Sequence, residues 1–402
     1  MKKIFTLGLA VCSLCLLHAQ ATYTVLPSQC NPNIAQNNDS NYILIDTTMP
    51  RLHRLFLFLP GTGATPRNSR YILRTAAAMG YDAIGLDYVN NETVADLCAG
   101  QNTYCNGDAR AEIFYGQDYS NAVTVDSADG IRTRLLDVLK YLDATFPAYG
   151  WSEYLVSPDS ISWPAICVSG HSQGAGMASI MAYWFRVGRG VFFATGGDWY
   201  GTTTTAWMSG PDATPASLKF AFTHRQDELF WGSKGYAPGI WDTLGLYQFG
   251  YYISVDTLSG DYYGVHAFTS NMVIPSTDTL VYHNCVVTDG FTPLDGAGVP
   301  VFQPLWQYML GGAGYAAGVG AIATQPSVSV YPNPASDHLL IQYPGYNAGA
   351  AITISDALGQ VVYQAPLTGA ATSIDIHAWQ GGIYLAAIYA GASRSVVKVV
   401  KW

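Results

Sequence analysis

The strongest constraint on the fold is a run of five large apolar residues, Leu55-Phe56-Leu57-Phe58-Leu59, which stops at Pro60-Gly61. A strand that is apolar on both faces cannot border water, so it predicts a central position in a sheet covered on both sides. Similar runs recur along the chain and alternate with helical patterns. Pro66 to Met79 is helix-like and ends at Gly80, and Tyr81 to Tyr88 reads as the next strand. Ile131, Leu135, Val138, Leu139 and Leu142 follow helical spacing, with Ser127 as the expected cap. Ile161–Ser169, Gly190–Thr195 and Leu218–Thr223 read as strands, and Gln173–Val187 as a mostly apolar helix. Strands alternating with helices imply an α/β fold, a mainly parallel sheet with right-handed crossovers and helices on both faces.

Composition narrows the functional classes. The 402 residues carry 28 acidic and 19 basic side chains, a formal charge of −9, and no Lys/Arg cluster, which argues against a nucleic-acid partner. Lys2 and Lys3, an apolar stretch from Ile4 to Leu17 and the small-residue exit Ala19-Gln20-Ala21 have the layout of a secretory signal peptide over residues 1–21. No other stretch is long enough to span a bilayer, so no transmembrane segment is expected in the mature chain. Beyond the leader lie Cys30, Cys98, Cys105, Cys167 and Cys285. In an oxidising compartment Cys98 and Cys105, flanking a short polar segment, are the expected bridge, and Cys167, within an apolar strand, the expected free thiol. No Cys-x-x-Cys or His-x-x-x-His pair supports a zinc site, so no metal is expected.

The sharpest local signal is Gly170-His171-Ser172-Gln173-Gly174, entered by the apolar Ala165–Ser169 and left through Met177, Ile180, Met181 and Trp184. A serine on a tight strand-to-helix turn is lifted clear of its neighbours, and small flanking residues let strand and helix approach. In that order the elements predict a nucleophile elbow with Ser172 as nucleophile. From about Arg51 to Gly312 the chain resembles the α/β-hydrolase superfamily, in the manner of secreted bacterial esterases and lipases. The resemblance implies the order Ser, then Asp or Glu, then His. The strand Leu218–Thr223 runs into His224-Arg225-Gln226-Asp227-Glu228, which points to Asp227 as the acid. Glu228, and Asp198 after the preceding strand, are the alternatives. Of the later histidines, His283 is expected on the loop before the last helix and is taken as the base. His266 is the alternative, within a segment that can itself be a strand. His171 adjoins the nucleophile and is not assigned the base role. An oxyanion hole needs two N–H donors. Gln173 is expected to supply one, and Thr62 or Gly63, in the loop Pro60-Gly61-Thr62-Gly63-Ala64, the other. The expected chemistry is hydrolysis of a small or polymeric ester through an acyl-enzyme, with no cofactor. A lipase or peptidase on the same machinery, or a non-catalytic surface or adhesion protein on a hydrolase fold, are the other readings.

After Gly320 the character changes. From Gln325 to Trp402 three acidic residues balance three basic ones, so the −9 belongs to the region before it. Seven short alternating strands predict a small all-β, immunoglobulin-like sandwich. Val330-Tyr331-Pro332-Asn333-Pro334-Ala335, Ser355-Asp356-Ala357-Leu358-Gly359-Gln360, Gly382-Ile383-Tyr384 and Lys398-Val399-Val400-Lys401 follow in order. Together they resemble the C-terminal sorting domain of the type IX (Por) secretion system of Bacteroidetes-type bacteria. The implied organisation is a leader (1–21), an α/β-hydrolase domain (22–322) and a sorting domain (323–402). The implied partner is the type IX machinery, and the implied location is the cell surface or the medium.

Overall fold

The computed structural model describes residues 20–231, 234–256, 262–311, 329–343, 350–356, 360–390 and 393–401. It divides into two compact units, residues 1–316 and 317–402. The leader up to Ala19, the change of character near Gly320 and the turn Ala357-Leu358-Gly359 lie outside the described residues.

The first unit is built on a nine-stranded mixed sheet. Its strands are β1 (Gln20–Val25), β2 (Asn41–Asp46), β3 (Leu55–Leu59), β4 (Asp82–Gly85), β5 (Ile166–His171), β6 (Arg189–Phe193), β7 (Lys219–His224), β8 (Ile253–Ser254) and β9 (Ala267–Ser270). In space they run β1-β2-β4-β3-β5-β6-β7-β9-β8. β1 and β2 pair antiparallel at one edge, β2 is antiparallel to β4, and every other pairing is parallel. β1 includes Gln20 and Ala21, residues that the leader's expected exit also spans.

The main helices are α1 (Arg70–Ala78), α2 (Cys105–Tyr115), α3 (Ile131–Thr145), α4 (Gln173–Trp184), α5 (Tyr236–Thr243) and α6 (Gln303–Leu310). The five apolar residues of β3 separate by parity, as pleating demands. Leu55, Leu57 and Leu59 join one core with Leu135 and Leu139 of α3 and Met177 and Ile180 of α4. Phe56 and Phe58 join the opposite core with Ile72 and Leu73 of α1 and Leu305, Trp306 and Met309 of α6. Because α4 is apolar almost all round, it is buried continuously from Gln173 to Ala182.

Several boundaries differ from the sequence reading. β4 covers only Asp82–Gly85 of the expected Tyr81–Tyr88. α3 is capped at Gly130 rather than Ser127, and the strand expected from Ile161 starts only at Ile166, after the one-turn helix Trp163–Ala165. In the last case Pro164, which cannot donate to a ladder, interrupts the apolar run. A disulfide joins Cys98, which caps the one-turn helix Val94–Leu97, to Cys105, the first residue of α2. Cys167 is free and buried.

The second unit has seven strands: β10 (Ser329–Tyr331), β11 (His338–Gln342), β12 (Ala351–Asp356), β13 (Val361–Pro366), β14 (Ala371–Asp375), β15 (Gly382–Ala390) and β16 (Ser393–Lys401). They form sheets β10-β11-β14 and β13-β12-β15-β16. Leu339, Ile341, Ile352, Ile354, Ile374, Ala386, Ile388 and Val399 share one core. Among the described residues, no helix is long and apolar enough to cross a membrane.

Candidate active site

β5 delivers Ser172 to the turn before α4, and the backbone there is unusual. Ser172 has φ 53° and ψ −116°, a left-handed conformation that costs a non-glycine residue energy. Its N–H donates to Phe193 O at 3.0 Å, which ties the turn to β6. The glycines on either side have steric work. A Cβ on Gly170 would overlap the backbone of Gly174, and one on Gly174 would overlap the carbonyl oxygens of Leu59 and Pro60. Gly61 approaches just as closely, since a Cβ there would lie 2.8 Å from His171 Nδ1 and 3.3 Å from Ser172 Cβ. The loop after β3 is thereby brought onto the serine turn.

That loop has a brace which sequence reasoning did not find. Asn90 Nδ2 donates to Gly61 O (2.6 Å) and Ala64 O (2.9 Å), and Asn90 O accepts from Gly63 N (2.9 Å). Tyr88 Oη donates to Pro60 O at 2.9 Å. The Gly63 N–H is therefore spent on Asn90, which removes Gly63 from the two alternatives, Thr62 and Gly63, for the second donor. Thr62 remains. Its Oγ1 donates to Gln173 Oε1 at 2.9 Å, linking the loop to the first residue of α4. The Gln173 N–H belongs to that helix's first turn, where backbone donors lack intrahelical partners.

Asp227 lies three residues past the end of β7 and is fully buried. Its Oδ1 accepts from Leu229 N and Phe230 N, both at 2.9 Å, and its Oδ2 accepts from His283 Nδ1 at 3.0 Å. Burial pushes its carboxyl upward. The charge of His283 and the hydrogen bonds from His283, Phe230 and Leu229 more than offset this, so the net shift is below the usual carboxylate value. With Nδ1–H committed to Asp227, the other ring nitrogen of His283 is left as the basic one.

His283 sits in a one-turn helix, Val281–Asn284, between β9 and α6, rather than on an open loop. Glu228 holds that turn. Its carboxylate accepts from His283 N at 2.8 Å and Tyr282 N at 3.1 Å, so it serves the backbone of the histidine segment and not the ring. The Phe230 ring stacks with the His283 ring at 5.8 Å, and His224 stacks on Tyr282 at 4.4 Å. On the side of the serine turn, His171 Nε2 donates to His283 O at 3.0 Å, and the two rings lie 4.8 Å apart. Burial, with His283 nearby, pushes the His171 imidazole down to about 3, so it is neutral at ordinary pH.

The other two alternatives lie elsewhere. Asp198 is paired with Arg110 (2.5 and 2.6 Å) and accepts from Trp207 Nε1 at 2.8 Å. Arg110 Nη1 also donates to Gln173 O at 3.2 Å, so this buried pair supports the first turn of α4 from below. Asp198 is thus engaged by Arg110 and Trp207, whereas the carboxylate that bonds the His283 ring is that of Asp227. His266 precedes β9, which places it at the opposite end of a parallel sheet from the serine turn. Its Nδ1 donates to Lys219 O at 2.9 Å, and its ring stacks between Phe220 and Phe249.

Residues 329–401 match the family model of the secretion system C-terminal sorting domain. The chain is accordingly a substrate of type IX secretion, exported to the cell surface or the medium. No curated protein matches it. Among solved structures, it is similar over 21% of its length to PorZ, an essential bacterial surface component of the type-IX secretion system of the human oral-microbiomic Porphyromonas gingivalis. That similarity has 24% identity, a TM-score of 0.17 and covers 13% of the PorZ chain.

Proposed function

We propose that the first unit is a serine hydrolase of the α/β-hydrolase type, acting on carboxylic esters after export by the type IX route. One observation carries the reading: a buried carboxylate holds Nδ1 of His283, whose backbone carbonyl is bound by His171, the residue beside a strained, glycine-flanked serine. The strand order supports it as well, because Ser172, Asp227 and His283 follow β5, β7 and β9, all at the same end of parallel strands.

The roles follow from the chemistry of each group. Nε2 of His283 takes the Ser172 proton as Oγ attacks the acyl carbon, while Asp227 orients the ring and stabilises the imidazolium. The N–H groups of Gln173 and Thr62 receive the developing oxyanion. His283 then protonates the departing alcohol, and water releases the acyl group from Ser172 by the same steps.

A fluorophosphonate probe tests the reading. The folded chain is expected to label at Ser172, and labelling is expected to vanish in Ser172→Ala and His283→Ala. Turnover of p-nitrophenyl acetate should vanish in both variants and persist in His266→Gln. Folded protein that resists the probe would remove the hydrolase assignment and leave the fold with another task.

A further inference from the structure

We infer that the cleft beside Gln173 is the acyl subsite of this hydrolase and that it takes a short aliphatic acyl group bearing a hydroxyl. The inference rests on the proposed activity and deepens it. A cavity of about 330 Å³ opens against Gln173, within the range of small-molecule sites. Its walls come from the segment after β4 (Val89 to Leu97), from Ile113 of α2 and from residues 121–124. None of its lining belongs to the acid-bearing or histidine-bearing turns.

Topology decides which half of an ester enters it. In the sheet, β5 lies between β4 and β3 on one side and β6, β7 and β9 on the other. Asp227 and His283 follow β7 and β9. The leaving alcohol must face His283, because that ring gives it a proton. The acyl group then extends to the other side of Ser172, toward the segments following β4, where the cavity lies.

The lining sets the chemistry. Val89, Leu97 and Ile113 give an aliphatic floor, and the cavity has neither an aromatic ring nor a cationic side chain. Flat aromatic acyl groups find no stacking partner, and anionic ones find no counter-charge. At the exposed rim stand Glu92 and Asn121, neither with a hydrogen-bond or ion-pair partner among the described residues. A carboxylate accepts only, so it selects a donor on the ligand and repels a second carboxylate. A neutral hydroxyl on a short carbon chain satisfies both floor and rim.

The experiment holds the leaving group constant. The full chain is given p-nitrophenyl esters of butyric, 3-hydroxybutyric, succinic (as the monoester) and benzoic acids, and kcat/KM is compared. The 3-hydroxybutyryl ester is expected to be preferred over butyryl by roughly tenfold, as one hydrogen bond to a charged group allows. Glu92→Leu should bring that ratio close to one. Glu92→Gln, which keeps an acceptor and loses the charge, should retain part of it and admit the succinyl ester. Equal rates for the hydroxylated and plain esters, a preference for succinyl or benzoyl, or an unchanged ratio in Glu92→Leu would each overturn the subsite while Ser172 still labels. Failure of every ester together with absence of fluorophosphonate labelling overturns the hydrolase reading itself, and the subsite with it. Thermal melting of both variants should match the parent, since Glu92 is exposed.

Discussion

Ser172→Gly should make the protein more stable while removing the proposed nucleophile. The residue sits at φ 53°, ψ −116°, where a side chain is crowded by its own backbone. Positions of this kind store about 1–3 kcal/mol when the surroundings hold them in place. Glycine occupies the region without that cost but loses more chain entropy on folding, about 0.5–1 kcal/mol. The net gain is about 1 kcal/mol, equivalent to roughly 2–4 °C for a unit of this size. Ser172→Ala is the control, because it removes the hydroxyl and keeps the Cβ that creates the strain. Calorimetry of the full-length parent and both variants, read on the transition of the larger unit, supplies the comparison. The expected order is Gly above Ala, with Ala close to the parent. If the glycine variant melts at or below the alanine variant, the turn is relaxed and the strain argument is wrong.

The remaining predictions concern the supports of the site and the response to acid. Glu228→Ala should lower kcat/KM for p-nitrophenyl acetate by roughly tenfold or more, since two backbone donors of the histidine turn lose a charged acceptor; Glu228→Gln should recover part of it. Gly174→Ala should cost about 3 kcal/mol or more, or prevent soluble expression, because its methyl would overlap the carbonyls of Leu59 and Pro60. His266 is pushed by burial down to about 4, so between that pH and the ordinary value near 6.5 the unfolded chain binds the extra proton. Its stabilising contribution is therefore present above pH 6.5 and lost as the pH falls toward 4. Urea unfolding across that window should show the parent losing up to about 1.4 kcal/mol per pH unit more than His266→Gln.

The strand, turn and helix around Ser172 were legible because their signals are local: a continuous apolar run, paired glycines and an apolar helix lie within about twenty consecutive residues. The choice of His283 over His266 rested on an expected loop. What separates them in space is strand direction, since a residue entering β9 is at the far end of the sheet from a residue leaving β5. Asp198 could be set aside only once Arg110, 88 residues away in the chain, was seen to neutralise it. The same limit hid Asn90 and the use that Glu228 makes of its carboxylate. Their partners are backbone groups distant in sequence (Gly61, Ala64, Tyr282 and His283), and no pattern within a single segment encodes them. Gly63 was a reasonable donor by composition, and its N–H was spent by the same asparagine.

The bridge between Cys98 and Cys105 has a consequence in time as well as in space. It closes the short loop between the Val94–Leu97 turn and α2, and those two elements contribute Leu97 and Ile113 to the cleft beside Gln173. Thiols stay reduced in the cytosol and pair only once an exported chain reaches an oxidising compartment. One wall of the cleft is thus locked after synthesis, during transit. A precursor retained in the cytosol would carry its serine turn and acid–histidine pair with that wall still unpinned, so under the proposed hydrolase reading selectivity would mature later than reactivity.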